Sequence, residues 1–272
     1  MEFNELKKIL PGLKKNIFLK NYTTFRIGGR AKYFFVARKK EDLIKAILVA
    51  KKFKLPFFIL GSGSNLLISD KGYEGLVIKT GTPLSLYVFK GLEWAAGIPG
   101  TIEGAVYGNA GAFGKSMKDA VKSVEVFDVR TEKIEIFKNK DCKFGYRSSI
   151  FKKKKNLIIL SVKIKTKKSD PQKIKQYLDY RKKTQPLNLP SAGSVFKNPK
   201  GVFAAELIEK CSLKGKKIGN VKISEKHANF IINLGKAKAK DIRKLIDLIK
   251  KRVKKKFKTK LEEEIQYLGF EN

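Results

Sequence analysis

Between residues 41 and 54 the apolar positions Leu43, Ile44, Ile47, Leu48 and Phe53 recur near helical spacing, with Glu41 and Asp42 at the end where a helix carries partial positive charge. This predicts an amphipathic helix. Through Pro56 the chain enters the apolar run FFIL at 57–60, which breaks at once into GSGSNLL, so a glycine loop ends a buried strand. Further strands are predicted at 122–129, 133–138 and 157–165, the first two joined by a short turn. Helices are predicted at 172–183, 202–211 and 239–257. In the last of these, Ile242, Leu245, Ile246, Ile249 and Val253 form one stripe suited to core packing. The opening MEFNELKKILPGLKKN reads as a short polar helix without the apolar centre of a secretion signal, and no apolar run reaches the length of a membrane span. A cytoplasmic protein without membrane attachment is expected. The polar stretch Thr166 to Pro171 marks the expected boundary between a domain at 1–168 and another at 169–272.

Composition narrows the class. At roughly 150 residues per domain, 272 residues imply two domains and exclude one small binding module. A hydrophobic content of 42% with 11% aromatics excludes global disorder. The formal net charge is +36, from 61 basic and 25 acidic residues, and only eight of the basic ones are arginine. Runs such as Lys152 to Lys155 and Lys254 to Lys256 flank apolar segments, as solvated faces do. Such a field attracts polyanions without selectivity, so no specific nucleic acid is expected. Cys142, Cys211 and His227 are the only residues of their types, which excludes a disulfide framework or a zinc cluster, and no metal site is expected. Cys211, near Leu207 and Ile208, reads as a buried thiol and His227 as a structural histidine, a sugar or uridine contact being its alternative.

Six of the 22 glycines fall in GIPGTIEGAVYGNAGAFG at 97–114, interleaved with alanines, so backbone there can approach a ligand closely. Pro99 or Thr101 is placed to open a helix whose first N–H groups would form an anion site. The loop Gly61 to Asn65 offers a second set of backbone donors. Together the loops suit either one long diphosphate ligand or simply tight turns. Neither a Rossmann fingerprint nor a P-loop is present: Leu66 stands at the third glycine position of the first, and the GKS at Gly114–Ser116 has Asn109 where a P-loop carries its first glycine.

NYTTFRIGG (21–29), LGSGSNLL (60–67), GLEWAAGIPGTIEGAVYGNAGAFG (91–114), GYRSSIFK (145–152), QPLNLPSAGSVFKNP (185–199) and HANFIINLGKAKAKDI (227–242) follow one another in the chain. In that order they resemble the UDP-N-acetylenolpyruvoylglucosamine reductase family of flavoenzymes, over about residues 20 to 270. The direct run from the Arg147 segment to the strand at 157 is similar to the branch lacking a tyrosine-bearing substrate loop. The resemblance implies an α+β protein: a two-subdomain FAD-binding domain of the PCMH/VAO type, followed by a smaller α+β substrate-binding domain. It implies bound FAD, NADPH as co-substrate, a UDP-sugar substrate, and reduction of an enolpyruvyl ether to a lactyl ether in peptidoglycan precursor synthesis. Oligomeric state is left open.

Residue by residue, the resemblance implies FAD contacts for Gly61, Ser62, Gly63, Ser64, Asn65, Gly100, Thr101, Asn109, Ala110 and Gly111, with Thr24 and Arg26 as weaker candidates. It makes Ser194 the proton donor, Arg147 the arginine that binds and polarises the substrate carboxylate, and Glu264 the late glutamate. Asn198 and Lys197 are implied substrate contacts. An enol ether accepts hydride only where the developing negative charge is stabilised and the neighbouring carbon receives a proton, which is why such a trio is required. Three departures stand out. Gln266 replaces the usual arginine, Glu103 replaces a common glycine beside the expected diphosphate, and Thr80 to Gly91 is short. The alternatives are another flavin oxidoreductase on a related fold, or a basic nucleotide- or nucleic-acid-binding protein.

Overall fold

The computed structural model describes residues 3–270, and its chain is a mixture of helices and mainly antiparallel strands. It divides into two compact units: Met1–Asn16, Tyr33–Ser62 and Gly75–Asp179 form the first, and Ile17–Lys32, Gly63–Glu74 and Tyr180–Asn272 the second. Two early stretches, 17–32 and 63–74, are thus grouped with residues 180–272.

In the first unit the opening helix α1 (Phe3–Ile9) and the amphipathic helix α2 (Lys40–Lys52) enclose one core. Asp42 accepts the Arg38 and Lys39 N–H groups, which starts α2 where the charge pattern predicts. Leu43, Ala46, Ile47 and Ala50 of α2 pack with Leu6, Leu10 and Leu13. The sheet order is β1 (Lys14–Phe18), β2 (Arg30–Val36), β5 (Tyr73–Lys79), β3 (Phe57–Leu60), with β4 (Leu66–Ile68) elsewhere. FFIL is β3, parallel to β5 with Phe57 opposite Leu76.

A second core of this unit gathers around α3 (Ile102–Gly108), the short hairpin β6 (Gly111–Ala112) and β7 (Lys115–Ser116), and the turn α4 (Met117–Ala120). An antiparallel sheet β10-β8-β9 supports it, built from β8 (Val121–Asp128), β9 (Lys133–Lys138) and β10 (Leu157–Ile164), with α5 (Ile150–Lys153) before the last strand. Alternation along β8 sends Val124 and Val126 into this core and Phe127 into the first one. These strands lie within one residue of their predicted bounds. Helix α6 (Pro171–Thr184) follows.

The second unit carries the antiparallel sheet β11-β14-β13-β12, of β11 (Ser191–Ser194), β12 (Lys217–Ile218), β13 (Val221–Ile223) and β14 (Phe230–Asn233). Helix α7 (Ala204–Lys210) and the long α8 (Ala239–Phe257) pack with it. The stripe Ile242, Leu245, Ile246, Ile249 and Val253 is at most 1% exposed and meets Val221, Ile223 and Ile231. Burying each such side chain contributes roughly 1.5–3 kcal/mol. Asp70 caps α8 from far away, accepting the Ala239 N–H at 2.9 Å and that of Lys240 at 3.2 Å. Helix α7 starts two residues later than predicted, because Asn198 Oδ1 accepts the Ala204 N–H at 3.0 Å. The last strand, β15 (Gln266–Leu268), lies parallel to β4.

Candidate active site

The glycine-rich stretch of the first unit is organised by Thr101. This residue is the N-cap of α3, its Oγ1 accepting the Gly104 N–H at 3.1 Å, while the Ile102 N–H is given to Thr82 O at 2.9 Å. The anion site expected from the first N–H groups of this helix is therefore corrected at those two positions: the protein's own oxygens already hold them. Thr101 Oγ1 also fixes Gly61, where any Cβ would come within 2.9 Å of it. One face of α3 is bare. Gly104 and Gly108, four residues apart, have no neighbour within 4 Å of their missing side chains except that capping oxygen at 3.3 Å.

Glu103 is turned away from that bare face. Its Oε2 accepts the Thr82 N–H at 2.9 Å and its Oε1 lies 3.2 Å from the same nitrogen, so the extra charge is spent on the short 80–91 segment. Burial lowers the Lys79 pKa, and the Glu103 charge opposes the shift.

At the end of α3, Asn109 takes a left-handed conformation with φ 47° and stops the helix. Both ends of its amide are committed: Nδ2 donates to Gly145 O at 2.8 Å, and Oδ1 accepts the Lys118 N–H at 3.0 Å. The Gly145–Ser148 turn is closed by paired backbone bonds of 3.0 and 3.2 Å and anchored by fully buried Ser149, whose hydroxyl donates to Tyr107 O at 2.7 Å. Arg147, at φ 51°, projects from this turn; its Nη2 donates to Gly111 O at 3.1 Å, and Tyr146 lies beneath the guanidinium at 5.4 Å. Asn109 and Gly111, assigned together to the cofactor, thus share one hydrogen-bonded cluster with Arg147, assigned to the substrate. Ala110 is held by its own N–H to Ala105 O at 2.8 Å.

In the second unit Gly63 bends at φ 62° over the backbone of Tyr22 and Thr23, leaving no room for a side chain there. Its carbonyl accepts the Thr24 N–H at 3.3 Å, and the Thr24 hydroxyl donates to Ser191 O at 2.7 Å. Asn65 ties the loop to the chain's last strand: Nδ2 donates to Glu264 O at 3.1 Å, and its own carbonyl accepts the Gln266 N–H at 3.0 Å.

Ser194 closes β11, opposite Phe230, directly after Gly193 at φ 74°. The next residues run antiparallel to the late glutamates: Glu264 N–H donates to Val195 O at 2.8 Å, Phe196 bridges Glu263, and Lys197 N–H donates to Glu262 O at 2.9 Å. The fold therefore brings the Ser194 and Glu264 segments side by side. It also separates the three consecutive glutamates. Glu262 pairs with Lys197 at 2.9 Å on the surface. Half-buried Glu263 accepts from Lys250 Nζ at 2.7 Å and from the Tyr267 hydroxyl. Burial works to raise the Glu263 pKa, but those two donors outweigh it and hold the group below the usual carboxylate range.

Other candidates have protein partners too. Lys197 is engaged by Glu262, and Asn198 Oδ1 starts α7. Burial pushes the His227 pKa down; its ring lies edge-on to Phe230 at 4.7 Å, and its Nδ1 accepts the Asn229 N–H at 3.3 Å, a structural placement. Sequence reasoning missed two asparagines. Asn229 bonds both backbone groups of Phe196, and Asn233 Nδ2 donates to Phe25 O at 2.9 Å. Their only signal was position within the HANFIIN run. It also missed Arg181, 7% exposed and lowered in pKa by burial. Among the described residues no group of three or more His, Cys, Asp or Glu is arranged to hold a metal, and no helix is long and apolar enough to cross a membrane.

Comparison with known proteins gives the family. Residues 185–268 match the family model described as the UDP-N-acetylenolpyruvoylglucosamine reductase C-terminal domain. The UDP-N-acetylenolpyruvoylglucosamine reductase of Caldanaerobacter subterraneus subsp. tengcongensis is 41% identical, over 98% of this chain and 97% of its own. That of Caldicellulosiruptor bescii is 42% identical, over 92% of this chain and 89% of its own. The crystal structure of the Thermus caldophilus UDP-N-acetylenolpyruvylglucosamine reductase (MurB) superposes with a TM-score of 0.81 at 33% identity, covering 94% of this chain and 99% of that one. With about 40% identity over nearly the whole length and a matching fold, the chain belongs to the UDP-N-acetylenolpyruvoylglucosamine reductase family of oxidoreductases.

Proposed function

We propose that this protein reduces the enolpyruvyl ether of UDP-N-acetylglucosamine enolpyruvate to the lactyl ether of UDP-N-acetylmuramate, using NADPH and bound FAD. The observation that carries the reading is the backbone bond of 2.8 Å from Glu264 N to Val195 O, which sets Ser194 and Glu264 on adjacent paired segments although one precedes α7 and the other follows α8. When bound, FAD supplies the hydride that NADPH delivers to it.

The residues present fit a flavin. The bare Gly104–Gly108 face of α3 leaves room for a flat ring system against backbone, and Glu103 keeps its charge off that face by bonding Thr82. Gly61, Ser62, Gly63, Ser64, Asn65, Gly100, Thr101, Asn109, Ala110 and Gly111 are assigned to the cofactor. For Thr101, Asn109 and Asn65 the side-chain groups are committed to protein, so their part is to shape the backbone that meets it. The flavin-binding portion, of PCMH/VAO type, lies within 1–168 and the substrate-binding portion within 169–272.

Arg147, a planar cation locked by Gly111 O and Tyr146, binds the substrate carboxylate and stabilises the charge that develops toward it. Ser194 delivers the proton to the adjacent carbon. Glu264, the late glutamate, borders the reacting end of the substrate together with Ser194. Lys197 and Asn198 border the substrate. A nucleotide-sugar substrate and NADPH both place the reaction in the cytoplasm. In the test, bound flavin is photochemically reduced and mixed with the enolpyruvyl nucleotide. Rapid reoxidation is expected, and Ser194→Ala is expected to slow it severely while leaving flavin reduction by NADPH nearly intact. A purified protein without flavin colour, or reduced flavin indifferent to the nucleotide, would refute the reading.

A further inference from the structure

Asn229 is 4% exposed and follows the histidine of the HANF run. Its side chain acts as a strand would. Oδ1 accepts the Phe196 N–H at 2.9 Å, and Nδ2 donates to Phe196 O at 2.8 Å. Its own carbonyl accepts the Val195 N–H at 2.8 Å. Regular pairing between β11 and β14 ends at Ser194 opposite Phe230. From there Asn229 carries the ladder two residues further, to Val195 with its backbone carbonyl and to Phe196 with its amide. The amide's orientation is fixed, since reversing it would set donor against donor and acceptor against acceptor.

The opposite edge of the same segment carries the glutamates, through Glu264 N–H to Val195 O and Lys197 N–H to Glu262 O. Val195 and Phe196 are thus gripped from both sides. From this geometry we infer that Asn229 is a positioning residue for the reduction: by holding both backbone groups of Phe196, it sets the register of the Ser194 hydroxyl against Glu264. The inference rests on the assignment of Ser194 as proton donor given above. Catalytic groups must be held within a fraction of an ångström, and such placement comes from surrounding hydrogen bonds as much as from the groups themselves.

Asn229→Asp provides the test because it is isosteric. As a carboxylate it keeps the bond from the Phe196 N–H but turns an oxygen toward Phe196 O. As a neutral acid it regains a donor and restores both bonds. In the ligand-free variant, the carboxylate oxygen facing Phe196 O disfavours the closed segment, so exchange of the Phe196 amide proton, which passes through opening, is expected to quicken at least about tenfold at neutral pH although its own bond is kept. In the flavin-loaded variant, reoxidation by the enolpyruvyl nucleotide should slow about 10- to 100-fold. Flavin content and reduction by NADPH should stay within about twofold of the parent. The reoxidation defect should shrink as pH falls, a trend absent from the parent.

Ser194→Ala is measured alongside. If it slows reoxidation and Asn229→Asp does not, the positioning role is overturned while the proton-donor reading stands. If Ser194→Ala reoxidises normally, the donor reading is lost and this inference falls with it. Should Asn229→Asp fail to fold, Asn229→Ser, which can still reach one of the two groups, is read by the same measurements. Failure of both to fold would make Asn229 a folding residue and overturn the proposal.

Discussion

The side-chain amide of Asn65 donates to the backbone carbonyl of Glu264 at 3.1 Å, joining positions 199 residues apart. The Gln266 N–H returns the bond to Asn65 O at 3.0 Å, so Asn65 and the segment running from the late glutamate into β15 are one hydrogen-bonded piece. Asn65→Ala removes the first bond and keeps the second. Unfolding free energy should drop by about 1 kcal/mol in urea titration. Flavin reoxidation by substrate should slow more than flavin reduction by NADPH. Equal slowing of both halves would show that Asn65 serves the cofactor alone.

Glu103→Ala should destabilise the first unit by about 1 kcal/mol, because the part-buried Thr82 N–H loses its acceptor. Glu103→Gln retains an acceptor and should cost less. Since burial lowers the Lys79 pKa and Glu103 opposes that shift, removing the carboxylate should lower Lys79 further. Lysine reactivity at position 79 as a function of pH reads this directly; an unmoved profile would show that the Glu103 charge does not act on Lys79.

Acid should weaken the second unit through Glu263. Burial raises this carboxyl, but hydrogen bonds from Lys250 and Tyr267 prevail and hold its folded pKa below the unfolded value of about 4.3. A depressed folded pKa gives stability that is complete above the unfolded pKa and is lost as pH falls through the folded one. Parent and Glu263→Gln should therefore differ by a steady amount above the unfolded pKa and converge only once pH has fallen through the lower, folded one. Denaturant midpoints across that range decide it, and a gap that widened toward acid would contradict the network.

Cys142 should be the inert thiol. Burial, with Asp141 beside it, pushes its pKa up to about 11, and it donates to Lys138 O at 3.5 Å. Cys211 is partly exposed. Alkylation of the native protein at pH 8 should label Cys211 and leave Cys142 until denaturant is added. Mass spectrometry of the peptides separates the two, and early labelling of Cys142 would mean that its core is loose.

The local pattern alone determined the regular elements: the α8 stripe from Ile242 to Val253, the alternation in β8, and FFIL as β3. In each, apolar spacing is a local quantity that survives whatever the rest of the chain does. The sequence also marked the small-residue loops and, through the order of its motifs, the family. What it left open was which atoms answer which. Thr101 turned inward to cap its own helix, where the residues alone suggested a ligand. Three consecutive glutamates were indistinguishable in the chain, and only Lys197, Lys250, Tyr267 and the Val195 carbonyl, brought from elsewhere, sent them to different partners. Asn109, Asn229 and Asn65 act on backbone groups that their sequence neighbourhoods do not contain. Hydrogen bonds of that kind are decided by packing, because a side-chain amide has no preferred partner until the fold removes water and leaves it one.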